Sequence, residues 1–251
     1  MGRREAKDKI MDKPVYRSCG NCKQGMVTTP GGGAVPCSCL KEHLKNVRLY
    51  ECVEEANIPV RYINCTVDNF EAIGGDSNNI KIRQCVGAFV NNLKVHLEAG
   101  NGYIFMGDNN SGKTHLAVAI LMAALEAGYS AYFTMLTSYI NIVTRSWTTR
   151  DPEDIYLRDQ IREAKVVCLD DIDKLAIENI SFKEEILDEF LRYRVNNCLS
   201  TILTTNISDT GGLFKLLGGS IVNLLKRCNV EIYFKGSYDV EAKRSVSGHI
   251  V

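Results

Sequence analysis

Gly107-Asp108-Asn109-Asn110-Ser111-Gly112-Lys113-Thr114, entered from the apolar run Tyr103-Ile104-Phe105-Met106 and left through the Ala- and Leu-rich stretch 115–127, decides the reading of this chain. The octet fits G-x-x-x-x-G-K-[ST], a pattern that carries meaning only between a strand and a helix, which is what its flanks predict. In that setting the backbone N–H groups of the loop and of the first helical turn converge on one point and cradle phosphates. Lys113 would then bring charge to the β- and γ-phosphates of ATP, and the Thr114 hydroxyl would ligate Mg²⁺. The expected nucleotide contacts run from Gly107 through Asp108, Asn109, Asn110, Ser111, Gly112, Lys113 and Thr114 to His115. Asn110 stands where many such loops carry glycine. Asparagine tolerates left-handed backbone angles better than other side-chain-bearing residues, so the loop is expected to close.

A second stretch fits the first. Val166-Val167-Cys168-Leu169 ends in the paired carboxylates Asp170-Asp171, a buried strand that would lie beside the phosphate loop in a parallel sheet. Asp170 is the expected Mg²⁺-side acid and Asp171 the group that orients or polarises attacking water. The other reading of this stretch is a strand followed by a solvated acidic turn.

Around these motifs the pattern alternates. Helical spacing of apolar residues over 80–99 precedes the strand 103–106; helix 117–127, strand 131–133, helix 138–144 and strand 166–169 follow, then helix 182–195 and strands 201–204 and 230–234. Alternation of this kind predicts an α/β fold, a five-stranded parallel sheet wrapped by helices. After Phe234 too little chain remains in this sequence for a separate helical lid.

The chain has 251 residues, 30 basic against 30 acidic groups, and ten cysteines. Zero formal charge argues against polyanion binding by bulk charge, so a nucleic-acid surface must be local. The charged start Met1-Gly-Arg-Arg-Glu-Ala-Lys has no signal-peptide character, no run approaches the ~20 apolar residues of a membrane span, and a cytoplasmic location is expected. Three segments follow from composition: 1–57 as an N-terminal cysteine module with a charged helix, 58–75 as a linker opened by Ile58-Pro59 and closed by the turn Gly74-Gly75-Asp76, and 76–251 as the nucleotide-binding domain.

In the first segment Cys19-x₂-Cys22 and Cys37-x-Cys39 offer four thiolates in two close pairs, the donor set of a tetrahedral Zn²⁺ site. His43, one turn beyond Cys39, could replace a thiolate. A closed four-cysteine shell leaves no open coordination position, so such a zinc would fold the module rather than do chemistry. Cys52, Cys65, Cys85, Cys168, Cys198 and Cys228 mostly sit in apolar patterns and read as core packing.

The order of these features resembles AAA+ ATPases of the DnaC/DnaI helicase-loader and IstB-like group, in the form found in phages and mobile elements. The resemblance spans about Cys19 to Tyr238. It rests on the cysteine-rich start, Ile58-Pro59-Val60-Arg61-Tyr62, Asp68-Asn69-Phe70, the Lys113-Thr114-His115-Leu116-Ala117 string, Leu169-Asp170-Asp171-Ile172, Tyr193-Arg194 and Thr204-Thr205-Asn206. It implies that Asn206 contacts the attacking water or the γ-phosphate, and that an arginine preceding the last strand reaches a neighbouring subunit's ATP site. Here Asn223 occupies the expected arginine position and Asp239 that of another. Arg227, four residues after Asn223, is the expected substitute on the same helical face.

The resemblance further implies an ATP-dependent loader of the replicative DNA helicase, a homo-oligomer joined through its ATP sites, with the zinc module as the partner contact. Two other functions fit the same motifs: an IstB-like transposition helper assembling on target DNA, and an ATP-binding adaptor with little hydrolysis. Tyr139, Arg145, Trp147, Arg150 and Arg158 form an aromatic and basic group that could stack on and neutralise single-stranded DNA; the competing reading is a core helix with solvated arginines.

Overall fold

The computed structural model describes residues 14–71, 77–174 and 180–236. The expected turn Gly74-Gly75-Asp76, and Tyr238 and Asp239 near the end, lie outside them.

At the N-terminal end two three-residue strands, β1 (Met26–Thr28) and β2 (Ala34–Pro36), pair antiparallel around Gly31-Gly32-Gly33. The hairpin runs into α1 (Ser38–Glu55), whose N-cap is Cys37. Among the four expected metal-binding cysteines, Cys37 and Cys39 are therefore fixed at a helix start, while Cys19 and Cys22 lie in the preceding turn.

The five apolar runs form one parallel sheet of β3 (Gly102–Gly107), β4 (Ala131–Met135), β5 (Val166–Asp170), β6 (Ser200–Thr204) and β7 (Asn229–Phe234), in spatial order β4-β5-β6-β3-β7. β3, β5 and β6 are buried along their whole length, because helices cover both faces; this is why they read as unbroken apolar runs rather than alternating ones. Alternation survives in the packing. Tyr103 and Phe105 join the core on one face, with α4 (Lys113–Glu126), while Ile104 and Met106 join the core on the other. The register sets Phe105 opposite Thr204, Gly107 opposite Phe234 and Met135 opposite Asp170, so the phosphate loop and the acidic pair emerge at one edge of the sheet. The crevice outside the carboxyl ends of such strands is where open α/β sheets bind ligands.

The helices differ from expectation in three places. The stretch 80–99 is two helices, α2 (Ser77–Asn91) and α3 (Leu93–Glu98), broken at Asn92, whose side-chain amide donates to the Ala88 carbonyl at 3.0 Å and competes with the backbone ladder. After α5 (Leu136–Thr148) comes α6 (Pro152–Glu163), which the periodicity does not announce because Ile161 is its only buried residue. Beyond α7 (Ile180–Asn196), α8 (Thr210–Leu225) forms despite four glycines; Asp209 caps it by accepting from Gly212 N, and Gly218 kinks it. The segment read as a linker contributes to the main core: Ile58, Ile63, Cys65 and Phe70 are buried against residues of α2, α4 and the sheet.

Of the six other cysteines, Cys65 and Cys168 are buried, Cys52 and Cys228 half-buried, and Cys85 and Cys198 exposed. Core packing thus accounts for the first pairs and not for the last. Among the described residues no helix is long and apolar enough to cross a membrane.

Candidate nucleotide site and cysteine centre

The loop between β3 and α4 turns through three left-handed residues: Gly107 at φ 121°, Asn110 at 57° and Gly112 at 92°. Asn110 adopts the backbone its residue type tolerates, as the sequence suggests. At Gly107 a Cβ would stand 2.1 Å from the Phe234 carbonyl oxygen, so only glycine lets β3 run this close to β7.

Lys113 is 5% exposed. Its ammonium donates to the carbonyls of Gly107 at 2.9 Å and Asp108 at 2.6 Å and reaches Ser111 Oγ at 3.4 Å. Burial lowers its proton affinity, while Asp171, Asp173, Asp170 and Asp108 pull the other way. An anion laid in the loop would add to these and hold the lysine charged.

Asp170 is 7% exposed at the end of β5. Burial raises its proton affinity, opposed by hydrogen bonds from Thr204 and Thr114. Thr114 Oγ1 donates to its Oδ1 at 3.0 Å, and Thr204 Oγ1 to the same oxygen at 2.6 Å. The hydroxyl and carboxylate expected to share Mg²⁺ are therefore already in contact, a hard oxygen pair that suits the ion. Asp171 follows at φ 55°, with its N–H on Thr204 Oγ1 at 3.0 Å and its carboxylate on Lys174 Nζ. A non-glycine residue held in the left-handed region costs roughly 1–3 kcal/mol and persists only where surroundings impose it.

Asp170, Asp171 and Lys174 line one cavity of about 510 Å³, together with Asn109 to His115, Asn206, Arg61 and Tyr62; Gly107 and Asp108 lie outside its lining. His115 is tied to the segment before α2 by a 2.9 Å contact between Nε2 and the Thr66 carbonyl, and packs on the edge of Phe70. Sequence reasoning missed Arg61 and Tyr62 in this cavity, and Thr204 and Asp173 behind it. Thr204 carries a signal, a hydroxyl ending an apolar strand; Asp173 carries only its place on the turn after the acidic pair.

Arg227 does not join the cavity. It lies past the end of α8, beyond the cap Lys226, and lines a separate pocket of about 230 Å³ with Phe89, His96 and Asn229, at the opposite end of the strands. The helix ends two residues too early for the spacing argument. The aromatic and basic group also divides. Tyr139 is core, Arg145 and Arg158 pair with Asp154 and Asp159 at 2.7 Å each, and Trp147 and Arg150 are exposed.

The four N-terminal thiols do meet. Their sulfurs all lie within 4.8 Å of one another, with Cys19–Cys22 at 3.8 Å, Cys19–Cys37 at 3.6 Å and Cys22–Cys39 at 3.4 Å. A tetrahedron of ~2.3 Å Zn–S bonds has edges of about 3.8 Å, so the donor set fits the ion. His43 stands outside it, edge-on to Tyr16 at 5.3 Å.

The family model described as IstB-like ATP binding protein matches residues 89–211. No curated protein matches the sequence at a significant level. Among solved structures, the DnaC helicase loader superposes with a TM-score of 0.62 at 26% identity, covering 70% of this chain and 99% of that one. DnaI, at a TM-score of 0.56 and 20% identity, covers 72% of this chain and 93% of its own. The replication initiator DnaA bound to AMPPCP and single-stranded DNA shares the fold at 0.55 and 17% identity, over 68% of this chain and 50% of its own. With the sheet order, the phosphate loop and the acidic pair in place, the chain is a P-loop AAA+ ATPase, similar over 89–211 to the IstB-like proteins and along most of its length to the DnaC helicase loader.

Proposed function

We propose that this chain is an ATP-controlled loader of the replicative DNA helicase, and that ATP and Mg²⁺ govern its assembly on helicase and single-stranded DNA. The observation that carries this reading is the match to the DnaC helicase loader along 99% of that chain at 26% identity. Thr114 and Asp170 would hold Mg²⁺, which when bound offsets phosphate charge. The amides of Gly107 to Thr114 bind phosphate, and Lys113 needs only to swing its ammonium from the loop carbonyls onto the ligand. Asp171 orients water, and Asn206, at the adjoining strand end, fixes its position. Arg227 is exposed at the far end of the sheet, where a charge can serve a neighbouring chain's ATP site and not its own. ATP shifts the assembly only by its difference in affinity between states. The cysteine tetrad, as a zinc site, would fold residues 14–39 into a partner-binding module on the end of α1.

The IstB-like family match favours a second reading, a transposition helper assembled on duplex target DNA. Capture of a purified hexameric replicative helicase by immobilised wild type and Lys113→Ala tests the choice. Retention by wild type with ATP, lost in Lys113→Ala, is expected. No retention, with duplex preferred over single-stranded DNA, moves the assignment to the IstB-like role. ATP consumption equally negligible in wild type and Asp171→Asn would make the chain an adaptor with ATP as a fixed ligand.

A further inference from the structure

Asn206 is placed in the cavity by a residue that does not itself line it. The turn Ile172–Lys174 follows the acidic pair, anchored by the fully buried Ile172, and carries Asp173 against the strand end 204–206. Asp173 Oδ1 accepts from Asn206 N at 2.9 Å and from Thr205 Oγ1 at 3.0 Å; its Oδ2 accepts from Asn206 Nδ2 at 3.0 Å. Thr205 Oγ1 also accepts from Ile207 N at 3.2 Å, and the Ile207 carbonyl accepts from Gly107 N at 3.0 Å, so the clamp is continuous with the start of the phosphate loop.

We infer that Asp173 is a positioning residue that fixes the polarity of Asn206: it holds the side-chain NH₂ away from the nucleotide and leaves the carbonyl Oδ1 to accept a hydrogen bond from the attacking water. The chemistry follows from donor and acceptor counts. An ionised carboxylate only accepts, so the edge of Asn206 facing it must be its NH₂ edge, and the opposite edge is an acceptor. A carboxylate takes charge-assisted hydrogen bonds about twice as strong as neutral ones, enough to bias a flip that would otherwise be nearly free. Burial works against ionisation of Asp173, but the Asn206 backbone and side-chain donors and Thr205 outweigh it and hold its proton affinity below the ordinary carboxylate value. Asn206 would thus hold water from one side while Asp171 polarises it from another, and would not donate to the γ-phosphate.

The inference rests on the reading of Asn206 and Asp171 as hydrolytic groups, and the test separates the two. Steady-state ATP turnover and Mg·ATP affinity are measured for the full chain, for Asp173→Asn, Asn206→Ala and the double variant. Asp173→Asn turns one accepting oxygen into a donor and lets Asn206 flip. Turnover is expected to fall about 10–100-fold with affinity within about 2-fold, and the Asp173 change should add nothing in the Asn206→Ala background. Losses that multiply in the double variant, wild-type turnover in Asp173→Asn, or a parallel loss of affinity would overturn the inference. Unchanged turnover in Asn206→Ala would instead remove the reading beneath it. In the unaltered protein, the Asn206 side-chain amide protons should stay protected from exchange when Mg²⁺ and a slowly hydrolysed ATP analogue are added; full exposure would overturn the assignment without any variant having to fold.

Discussion

Thr204 Oγ1 donates to Asp170 Oδ1 at 2.6 Å and accepts from Asp171 N at 3.0 Å, so one hydroxyl at the end of β6 orients both carboxylates at the end of β5. The group is fully buried, and valine fills the same volume without either hydrogen bond. Thr204→Val leaves a buried carboxylate short of a donor and a backbone N–H without an acceptor, at a cost of about 1–3 kcal/mol for each such group. The unfolding midpoint in urea is expected to drop accordingly. ATP turnover should fall further than nucleotide affinity, because Asp171 loses the contact that sets its backbone.

Asp170 gives a pH dependence with a definite sign. Burial raises its proton affinity above that of an ordinary carboxylate. Between the ordinary value and the raised one, the folded chain keeps a proton that the unfolded chain has released, so stability falls as pH rises through that window. At neutral pH the ionised, buried acid costs stability in the nucleotide-free protein. Asp170→Asn retains an oxygen to accept from Thr114 and Thr204 and removes the charge. Thermal melts at neutral pH should show this variant several degrees more stable than wild type without ligand, with the gap closing toward acid pH. Mg²⁺-dependent ATP affinity should be lost in the same variant. A variant less stable at neutral pH than wild type would contradict the burial argument.

How much of this site could be read from sequence depends on how local its cause is. The phosphate loop and Asp170-Asp171 are contiguous motifs whose strand context follows from apolar runs buried on both faces. Asn206 lies outside any such motif, and only the family resemblance pointed to it. The partnership of Asp173 with Asn206 joins residues 33 apart and exists only because β5 and β6 are adjacent and in register. Nothing in either tripeptide encodes it. Phe70 was hidden for a related reason: 58–70 has no helical or strand period, so its apolar residues look like punctuation until each is found plugging the core beside α4. The spacing read for Arg227 needs a longer helix, whereas α8 ends at Leu225, two residues before it.

Phe70 also limits what the phosphate loop tolerates. A Cβ at Gly112 would fall 2.5 Å from Phe70 Cε2, and the residue sits at φ 92°. Gly112→Ala therefore meets two separate penalties, a clash and a left-handed backbone, the second worth roughly 1–3 kcal/mol. Shortening the ring by Phe70→Leu removes only the first. The double variant should regain part of the thermal stability lost by Gly112→Ala and little of the nucleotide affinity, since the amides of the loop remain misdirected. Full recovery of binding in the double variant would mean that the clash alone matters.

The cysteine centre and the ATPase core should come apart when metal is removed. β1 and β2 have three residues each and an exposed surface, far too little apolar burial to stand alone. Besides its own turn bonds, the hairpin is tied to α1 by the bond between Cys37 N and the Gly25 carbonyl at 2.7 Å and by the cysteine tetrad. The other end of α1 is held differently. Val53 and Ala56 are buried in the core, the Ala56 carbonyl accepts from Phe133 N at 2.8 Å, and Asn57 Nδ2 donates to the Phe133 carbonyl at 2.9 Å, closing the outer edge of β4. About one zinc per chain is expected by elemental analysis, lost in Cys22→Ser. A strong chelator should expose amides of 14–39 to hydrogen exchange while those of β3 to β7 keep their protection, and ATP affinity should hold. Global loss of protection on chelation would mean that the centre supports the whole domain and not the hairpin alone.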